Sequence, residues 1–394
     1  MTPTPNLEGP HWEPEQLRQM RAEFQGNPAL VAEAEGSRVL GAVEAFIVRY
    51  VVLPKAAPLV IALWAVCTHL ASTFDVFPYL SLYSPIPRCG KTRLLEVLEL
   101  LVAHPWRGTA PTQAAIFRFI EAKQPTLLLD EVEGLAKRNP SENDAAVLAI
   151  LNAGYRKGQT VPRCVGSGHH LRHFSVYGPK AFGAIGDLPD TLRDRSIVIS
   201  MQRRAPGDQV ARFRFERAKR EADVTRTGLE RIAKEFAAEI QRTYSILPEL
   251  SFLTDRDEEL FAPLFAVCGV FAPSRLQELE RCAKTICDTK WSNAVDDSLP
   301  LRLLADIQTI WPRSAEAMLT DTLICSLREM PESPWNKEIE LNPRKLARLL
   351  RGFEVRSRTV RVPETRGKGY IRSEMKEAWM RYLPSKTSFA EPEE

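Results

Sequence analysis

The sequence predicts a mixed α/β fold, in which a mainly parallel sheet carries helices on its faces. Short β-type runs alternate with amphipathic helices between residues 76 and 205. Helical periodicity precedes this region, and residues 206–330 are helical and rich in charge, with no β-like run of any length. The alternation predicts the sheet, and the flanking stretches predict helical regions on either side of it.

A chain of 394 residues exceeds one typical domain. Changes in periodicity and composition divide it into five segments. These are an N-terminal arm and helical prelude (1–75), an α/β core (76–205), a helical domain (206–330), a basic C-terminal module (331–384) and a disordered tail (385–394).

Composition narrows the class of protein. Apolar content of 44% and charged content of 26% are ordinary for a soluble domain. The seven cysteines form no CxxC pair and are odd in number, which predicts reduced thiols and a cytoplasmic location. Met1 to Pro14 is Pro-rich and acidic, so no signal peptide is expected. The apolar run Ala56 to Cys67 is shorter than the ~20 residues of a membrane span, so we interpret it as a buried helix and expect no membrane partner.

The elements of the core follow in order. Tyr79 to Tyr83 is a short β-type run, and Lys91 to Ala103 is a helix with leucines on one face. Thr112 is a suitable N-cap for a helix over Gln113 to Lys123. Further β-like runs are predicted at 106–110, 125–129, 174–185 and 196–201.

The loop after the first strand, Ser84-Pro-Ile-Pro-Arg-Cys-Gly-Lys-Thr92, is the most informative motif. A loop between a strand and a helix turns backbone N–H groups toward a phosphate, and the helix N-terminus adds partial positive charge. In this pattern Lys91 reaches the β- and γ-phosphates of ATP and the Thr92 hydroxyl binds Mg²⁺. The predicted nucleotide-binding residues are Pro85, Ile86, Pro87, Arg88, Cys89, Gly90, Lys91 and Thr92.

The loop departs from the GxxxxGK[ST] pattern, because Pro85 occupies the first Gly position and supplies no N–H. A chance GKT in a β–α turn is the alternative. A second feature favours the functional interpretation, since the strand Thr126-Leu-Leu-Leu-Asp-Glu131 ends in two carboxylates. Asp130 is predicted to hold the magnesium and Glu131 to polarise the attacking water, which suits hydrolysis better than transfer to a small substrate.

These motifs, together with Leu188-Pro-Asp-Thr-Leu-Arg-Asp-Arg-Ser-Ile-Val198, resemble the domain-of-unknown-function family DUF3631 of phage, plasmid and integrated elements, over roughly residues 40 to 383. The resemblance implies a helicase-like P-loop NTPase with an AAA+-like core, kin to ring-forming ATPases that act on nucleic acid. It implies that Arg195, or its rival Arg193, reaches the γ-phosphate of a neighbouring copy. The alternative is a surface helix end with charges paired to Asp190 and Asp194. The sensor position falls on Gly186-Asp187 and stays open.

The C-terminal module is basic, with twelve Lys or Arg against four acids between Leu341 and Leu383. Its helix, short strands and basic Gly turn at Arg366 to Gly369 resemble a winged-helix-like module of the same proteins. A basic helix followed by a basic turn can lie along a DNA backbone; a solvated face is the alternative. The predicted nucleic-acid residues are Arg344, Lys345, Arg348, Arg358, Arg361 and Lys368.

A second basic stretch lies between the carboxylate strand and the next strand, and contains Arg163, His169, His170, Arg172 and His173. We expect a flexible basic loop there. A metal site that uses Cys164 with these histidines is possible on spacing, but it lacks a second ligand pair.

The leading hypothesis is an ATP-hydrolysing, helicase-like motor or remodeller on DNA, in mobile-element replication. Its expected partners are DNA, further copies in a homo-oligomeric ring, and a primase or replication protein on another chain. The first alternative is a non-catalytic nucleotide-binding protein that binds DNA or regulates. The second is a defence or signalling ATPase whose target is protein.

Overall fold

A computed structural model describes residues 28–383, with the exception of residues 85, 110–111, 137–138, 166–169, 186–187, 298, 331–333, 338 and 364. The chain forms two compact units, Met1–Cys287 and Asp288–Glu394. The stretch 206–330, which the sequence groups as one helical domain, is divided between the two units.

The first unit contains nine helices and seven strands among the described residues. They are α1 (Pro28–Tyr50), α2 (Ala57–Thr68), β1 (Tyr79–Ser84), α3 (Lys91–Glu99), β2 (Pro105–Thr109), α4 (Gln113–Lys123), β3 (Thr126–Asp130), α5 (Glu142–Ala153), β4 (Thr160–Val165), β5 (His170–Ser175), β6 (Lys180–Ile185), α6 (Asp190–Asp194), β7 (Ser196–Ser200), α7 (Phe215–Ser245), α8 (Asp255–Phe271) and α9 (Leu276–Asp297), whose end belongs to the second unit.

The helical part of this unit is built around α2. All of its residues except Pro58 are buried, and α1 and α8 pack against it. The Trp64 indole N–H donates to the Pro78 carbonyl oxygen at 2.8 Å, which fixes α2 at the entry to β1. The predicted buried helix over the apolar run is therefore confirmed. Within the described ranges, no helix is long and apolar enough to cross a membrane.

The central sheet is parallel and has the order β2-β3-β6-β1-β7. The carboxyl ends of its strands consequently lie at one edge, which we call the carboxyl edge, and their amino ends lie at the opposite, amino edge. Strand β6 lies between β1 and β3, so the loop after β1 and the carboxylates after β3 flank the end of β6. Helix α4 begins as predicted, with the Thr112 hydroxyl accepting from the Ala115 N–H.

The predicted β-like run over 174–185 is two strands. Residues up to Ser175 belong to β5, which pairs with β4 in a separate antiparallel hairpin, and β6 begins at Lys180. The break falls at Gly178, whose φ of 145° is rarely adopted by other residues, followed by Pro179.

The second unit begins within α9 and continues with α10 (Leu299–Ile310), β8 (Ala317–Leu319), α11 (Thr320–Glu329), α12 (Pro334–Lys337), α13 (Pro343–Leu350), β9 (Arg358–Val362), β10 (Thr365–Ile371) and α14 (Arg372–Tyr382). Its three strands form an antiparallel sheet of order β8-β10-β9. Trp335 and Tyr370 are fully buried in a core of its own. The Trp335 indole donates to Asp306 Oδ2 at 2.7 Å.

One local prediction for this unit is wrong. Arg366 to Gly369, predicted as a turn, lies within strand β10. The glycines serve close approach, because a Cβ at Gly369 would overlap the Met318 carbonyl oxygen of the neighbouring strand and the Val360 side chain.

Candidate functional site

The loop between β1 and α3 contains two residues with a left-handed backbone. Gly90 caps α3 with a φ of 84°, and Arg88 adopts a φ of 66°, which few residues other than Gly adopt. Left-handed residues next to right-handed ones turn successive N–H groups to one side and form a nest for anions. The Cys89 thiol donates to the Ile86 carbonyl at 3.3 Å and holds the loop together. Pro85 lies outside the described residues.

Lys91, the first residue of α3, is only 7% exposed. Its ammonium donates to the hydroxyl of Ser84 at the end of β1, and that hydroxyl donates to the Ile86 carbonyl at 2.7 Å. Among the described carboxylates, none forms an ion pair with Lys91. An ammonium has three donors, and burying its charge without a counter-ion is costly. A bound anion at the nest would relieve that cost.

Gly183 on β6 is where the loop and the carboxylate strand meet. A Cβ at this position would lie 3.0 Å from Asp130 Oδ1, 3.5 Å from Lys91 Cβ and 3.7 Å from Leu95 Cδ1. Asp130 is half-buried, and its Oδ1 also accepts from the Glu131 N–H at 3.2 Å. The structure therefore brings Lys91 and Asp130 together across a residue with no side chain.

Glu131 and Thr92 lie on the open side of this arrangement. Glu131 is exposed and has a φ of 59°, and the next residue returns to the sheet through a Val132 N–H bond to the Gly183 carbonyl at 3.3 Å. A left-handed backbone at Glu costs free energy on the order of 1 kcal/mol or more, and such positions cluster at functional sites. Thr92 is exposed in the first turn of α3.

Arg193 and Arg195 lie at the other edge of the sheet. Tyr79 at the amino end of β1 donates its N–H to the Arg195 carbonyl at 3.1 Å, so Arg195 is at the amino edge, away from its own Lys91. Its guanidinium donates to the Thr191 carbonyl at 2.6 Å and lies 5.9 Å from the Tyr155 ring. Asp194 pairs with Arg256 at 2.9 Å. Gly186 and Asp187 are outside the described residues.

The C-terminal cations divide into three groups. Arg344 and Arg348 are exposed on one face of α13, while Lys345 is half-buried. In the β9–β10 hairpin, Arg361 and Arg366 occupy directly opposite positions on the two strands, and the exposed Lys368 lies opposite Thr359. Arg358 forms an ion pair with Glu374. Arg358 is therefore the least available of the predicted nucleic-acid residues.

The hairpin β4–β5 carries the second basic stretch. Arg163 lies over the Phe117 ring, and His170, Arg172 and His173 are exposed, whereas His169 is outside the described part of the chain. No cluster of three or more His, Cys, Asp or Glu in the described ranges is arranged to hold a metal ion. A cavity of about 370 Å³ lies beside β5 at the amino edge, lined by residues that include Gln124, Tyr177 and Pro179.

Three residues of the carboxyl edge were missed by sequence reasoning. Ser84 supplies the acceptor for Lys91, Gly183 supplies the space, and Met201 Cε lies 3.7 Å from the position of a Gly90 Cβ. The signal available for Gly183 was a glycine inside a strand, which often marks close approach of other groups.

The fold defines the class, a parallel α/β protein with a Gly90-capped loop and the Asp130 carboxylate at the carboxyl edge of its sheet. Residues 200–382 match the family model "Protein of unknown function (DUF3631)". A relative from Saccharopolyspora erythraea, named as an uncharacterized 28.9 kDa protein in the xis 5′ region, is 32% identical over 193 residues, which cover 47% of this chain and 69% of the relative. The chain belongs to the DUF3631 family, as predicted. The matched range is shorter than the predicted span of residues 40 to 383 and begins after the three motifs on which that prediction was based.

A solved structure titled "SCCmec type IV Cch - active helicase" aligns with 93% of this chain and 72% of its own, at a TM-score of 0.38 and 10% identity. A similarity of this size has no bearing on the activity of this chain.

Proposed function

We propose that this protein is an ATP-hydrolysing, helicase-like motor or remodeller that acts on DNA, in the replication of a mobile element and alongside a primase or other replication protein. The observation that carries the proposal is the buried, single-acceptor ammonium of Lys91 beside the Gly90 nest, with Asp130 across Gly183. Ligands of parallel α/β sheets bind at the carboxyl ends of the strands, and this arrangement is at that edge.

The side chains present at the carboxyl edge are of the types that bind magnesium and a nucleoside triphosphate. Mg²⁺ usually takes one or two protein oxygens and completes its shell with waters and substrate phosphates, so the Asp130 carboxylate and the Thr92 hydroxyl are a sufficient protein set. Bound Mg²⁺ would neutralise charge on the β- and γ-phosphates. The backbone N–H groups of Ile86, Arg88, Cys89 and Gly90 and the Lys91 ammonium would hold the phosphates, with Lys91 turning from Ser84 toward them.

Glu131 is the proposed general base. Glu131 directly follows Asp130, the proposed magnesium ligand, and is exposed. Its backbone N–H donates to Asp130 Oδ1, and its carboxylate takes no part in that hydrogen bond. A carboxylate there accepts the proton of a water that attacks the γ-phosphate.

The position of Arg195 supports the proposal of a ring. Because Arg195 is at the amino edge, it reaches a γ-phosphate only if that phosphate is bound by another copy of the chain. An arginine supplied in this way stabilises charge in the transition state.

The second unit is the proposed DNA-binding module. From α10 to β10 the order is helix, strand, three helices and two strands, and α12 is only four residues long. This order supports a winged-helix-like module with α13 in the place of a recognition helix. Arg344 and Arg348 on α13, and Arg361 and Lys368 on the hairpin, would contact phosphates without reading bases.

The test is ATP turnover by the full chain with and without single- and double-stranded DNA. We expect hydrolysis that DNA stimulates and that Lys91→Ala or Glu131→Gln abolishes, while Lys123→Ala, an exposed lysine elsewhere in the same unit, leaves it unchanged. A wild-type protein that releases no phosphate with any nucleic acid would defeat the motor.

A second candidate is a nucleotide-binding DNA-binding or regulatory protein without catalysis. It is favoured by Pro85, which occupies the first Gly position of the motif and supplies no N–H to a phosphate. A melting temperature that ATP raises, without phosphate release, would identify this candidate.

A further inference from the structure

The segment that follows β7 carries an unusual concentration of positive charge. Residues 203–220 contain two acids, Asp208 and Glu216, and seven Lys or Arg: Arg203, Arg204, Arg212, Arg214, Arg217, Lys219 and Arg220. All seven are exposed. We call these seven cations the basic strip; none of them belongs to the nucleic-acid residues predicted from the sequence.

The last six residues of this segment are the start of helix α7, and the rest of α7 has balanced charge. Residues 221–245 contain four cations and five acids, and Arg226 and Arg231 pair with neighbouring carboxylates. Within the described part of the chain, only Arg217 of the basic strip forms an ion pair, with Glu221 at 2.9 Å. The strip therefore differs from an ordinary solvated helix face, on which opposite charges alternate.

Two of the acids nearest the strip already have hydrogen-bond partners. Asp208 accepts from the Ala205 N–H at 2.7 Å, and Glu221 accepts from the Tyr50 hydroxyl at 2.6 Å as well as from Arg217. The remaining carboxylate, Glu216, is exposed. Seven cations against two acids leave five net positive charges along residues 203–220.

The strip is held in a defined course. Ala211 donates its N–H to the Arg49 carbonyl at 2.8 Å, and the half-buried Phe213 ring packs on Tyr50 at 5.1 Å and under the Arg93 guanidinium at 4.4 Å. Phe213 packs inward, whereas Arg212 and Arg214 on either side of it are exposed. Lys219 and Arg220 follow on the first turns of α7.

We propose that the basic strip is a nucleic-acid backbone contact of the first unit, separate from the basic surface of the second unit. No large apolar side chain of residues 203–220 is exposed, whereas protein interfaces carry an apolar centre. Cations on a segment that exposes no large apolar side chain match phosphates that are bound irrespective of sequence. The proposal shares its DNA partner with the proposed function but does not depend on ATP hydrolysis.

The test compares three variants of the full chain. In the strip variant, Arg212, Arg214, Lys219 and Arg220 are changed to Gln. In the matched control, four exposed cations elsewhere in the first unit, Arg118, Lys123, Lys234 and Arg242, are changed to Gln. In the hairpin variant, Arg361, Arg366 and Lys368 are changed to Gln. Binding of labelled single-stranded and duplex oligonucleotides is measured over a series of salt concentrations, with melting curves to verify folding.

We expect the strip variant to bind more weakly than the control at low salt. The slope of log K against log salt should become shallower by about 0.9 for each duplex phosphate that the variant no longer neutralises. The affinity for an ATP analogue should equal that of the control.

Three results would contradict the proposal that the basic strip binds a nucleic-acid backbone. The first is a salt slope equal to that of the control while the hairpin variant loses binding, which would leave the proposed function standing. The second is a loss of ATP affinity with oligonucleotide binding intact, which would assign the strip to the nucleotide. The third is competition by poly-glutamate as strong as by DNA, which would assign it to an acidic protein.

Discussion

Two lysines at opposite edges of the same sheet are both buried and lie in different environments. Lys180, at the amino edge, is 1% exposed, and its ammonium donates to the carbonyls of Val176, Gly178 and Gly154 at 2.9, 3.0 and 3.3 Å. Lys91, at the carboxyl edge, donates to one hydroxyl among the described residues. Three acceptors match the three donors of an ammonium.

The difference separates a lysine whose hydrogen-bond donors are satisfied by the fold from one that has donors left for the proposed phosphate ligand. Lys180 is satisfied by its own fold, and Gly154 is a glycine because a side chain there would meet the Lys180 ammonium at 2.5 Å. Lys91 has donors left over, next to a nest of N–H groups and an open carboxylate. Burial alone does not distinguish the two lysines. The number of ammonium donors that lack an acceptor among the described residues does.

The largest expected effect is that of Arg195→Ala. It would contradict the comparison above, because it would give the amino edge a role in the reaction. If Arg195 acts on a neighbouring copy, Arg195→Ala lowers ATP turnover by about 10³-fold, because the transition-state charge loses its partner. Nucleotide binding should persist. The measurement is phosphate release by the variant, with Lys234→Ala as the control.

Mixing two inactive variants tests whether Arg195 acts on a neighbouring copy. Subunits with Lys91→Ala still carry Arg195, and subunits with Arg195→Ala still carry Lys91, so mixed rings should regain part of the activity. Two inactive proteins that stay inactive after mixing would contradict a role across a subunit boundary.

The next effect sharpens the description of the carboxyl edge. Gly183→Ala places a methyl group 3.0 Å from Asp130 Oδ1, closer than side chains normally approach, so the carboxylate must shift by a few tenths of an ångström. We expect turnover to fall by about 100-fold, since small misplacements at a reacting centre cost this much. Gly207→Ala, at an exposed glycine with open space around it, is the control. Unchanged kinetics would show that Asp130 is not at the reacting centre.

A third effect tests the amino edge through pH. Burial lowers the pKa of Lys180 from 10.5 to about 7. Between these values the unfolded chain holds a proton that the folded chain has lost, so the free energy of unfolding rises with pH over this window, by up to about 1.4 kcal/mol per pH unit from this group. Urea denaturation of wild type and Lys180→Met from about pH 7 to pH 10 measures it. Parallel profiles for the two proteins would contradict the assignment.

The smallest effect concerns the single acceptor of Lys91. Ser84→Ala removes the hydroxyl, and the buried ammonium loses its only hydrogen bond from the described residues. We expect a loss of about 1–2 kcal/mol in the free energy of unfolding of the nucleotide-free protein, which ATP should recover if phosphate replaces the hydroxyl. The same loss with and without saturating ATP would argue against that replacement.

Sequence reasoning succeeded where a pattern is local. The loop before Lys91, the carboxylates after the β3 strand and the N-cap Thr112 each depend on a few consecutive residues, and the structure has the predicted elements there. The parallel sheet followed from the alternation of strands and helices. The roles of Lys91, Asp130, Glu131 and the arginines toward ATP stay predictions.

Long-range features were beyond the sequence. That β6 lies between β1 and β3, and so presents Gly183 to both Lys91 and Asp130, depends on strand order. Lys180 stands in a sequence that does not distinguish it from an exposed lysine. The turn predicted at Arg366 to Gly369 failed because two glycines usually mark a bend, whereas here one of them allows two strands to approach.

The burial of α2 determines how the protein can be divided. A version that starts at β1 would lack a helix whose Leu63, Trp64 and Val66 are fully enclosed, and the surfaces that cover them would become a large exposed apolar patch prone to aggregation. The helices before the sheet are thus an obligatory part of its fold, and any shortened form that remains soluble must retain them.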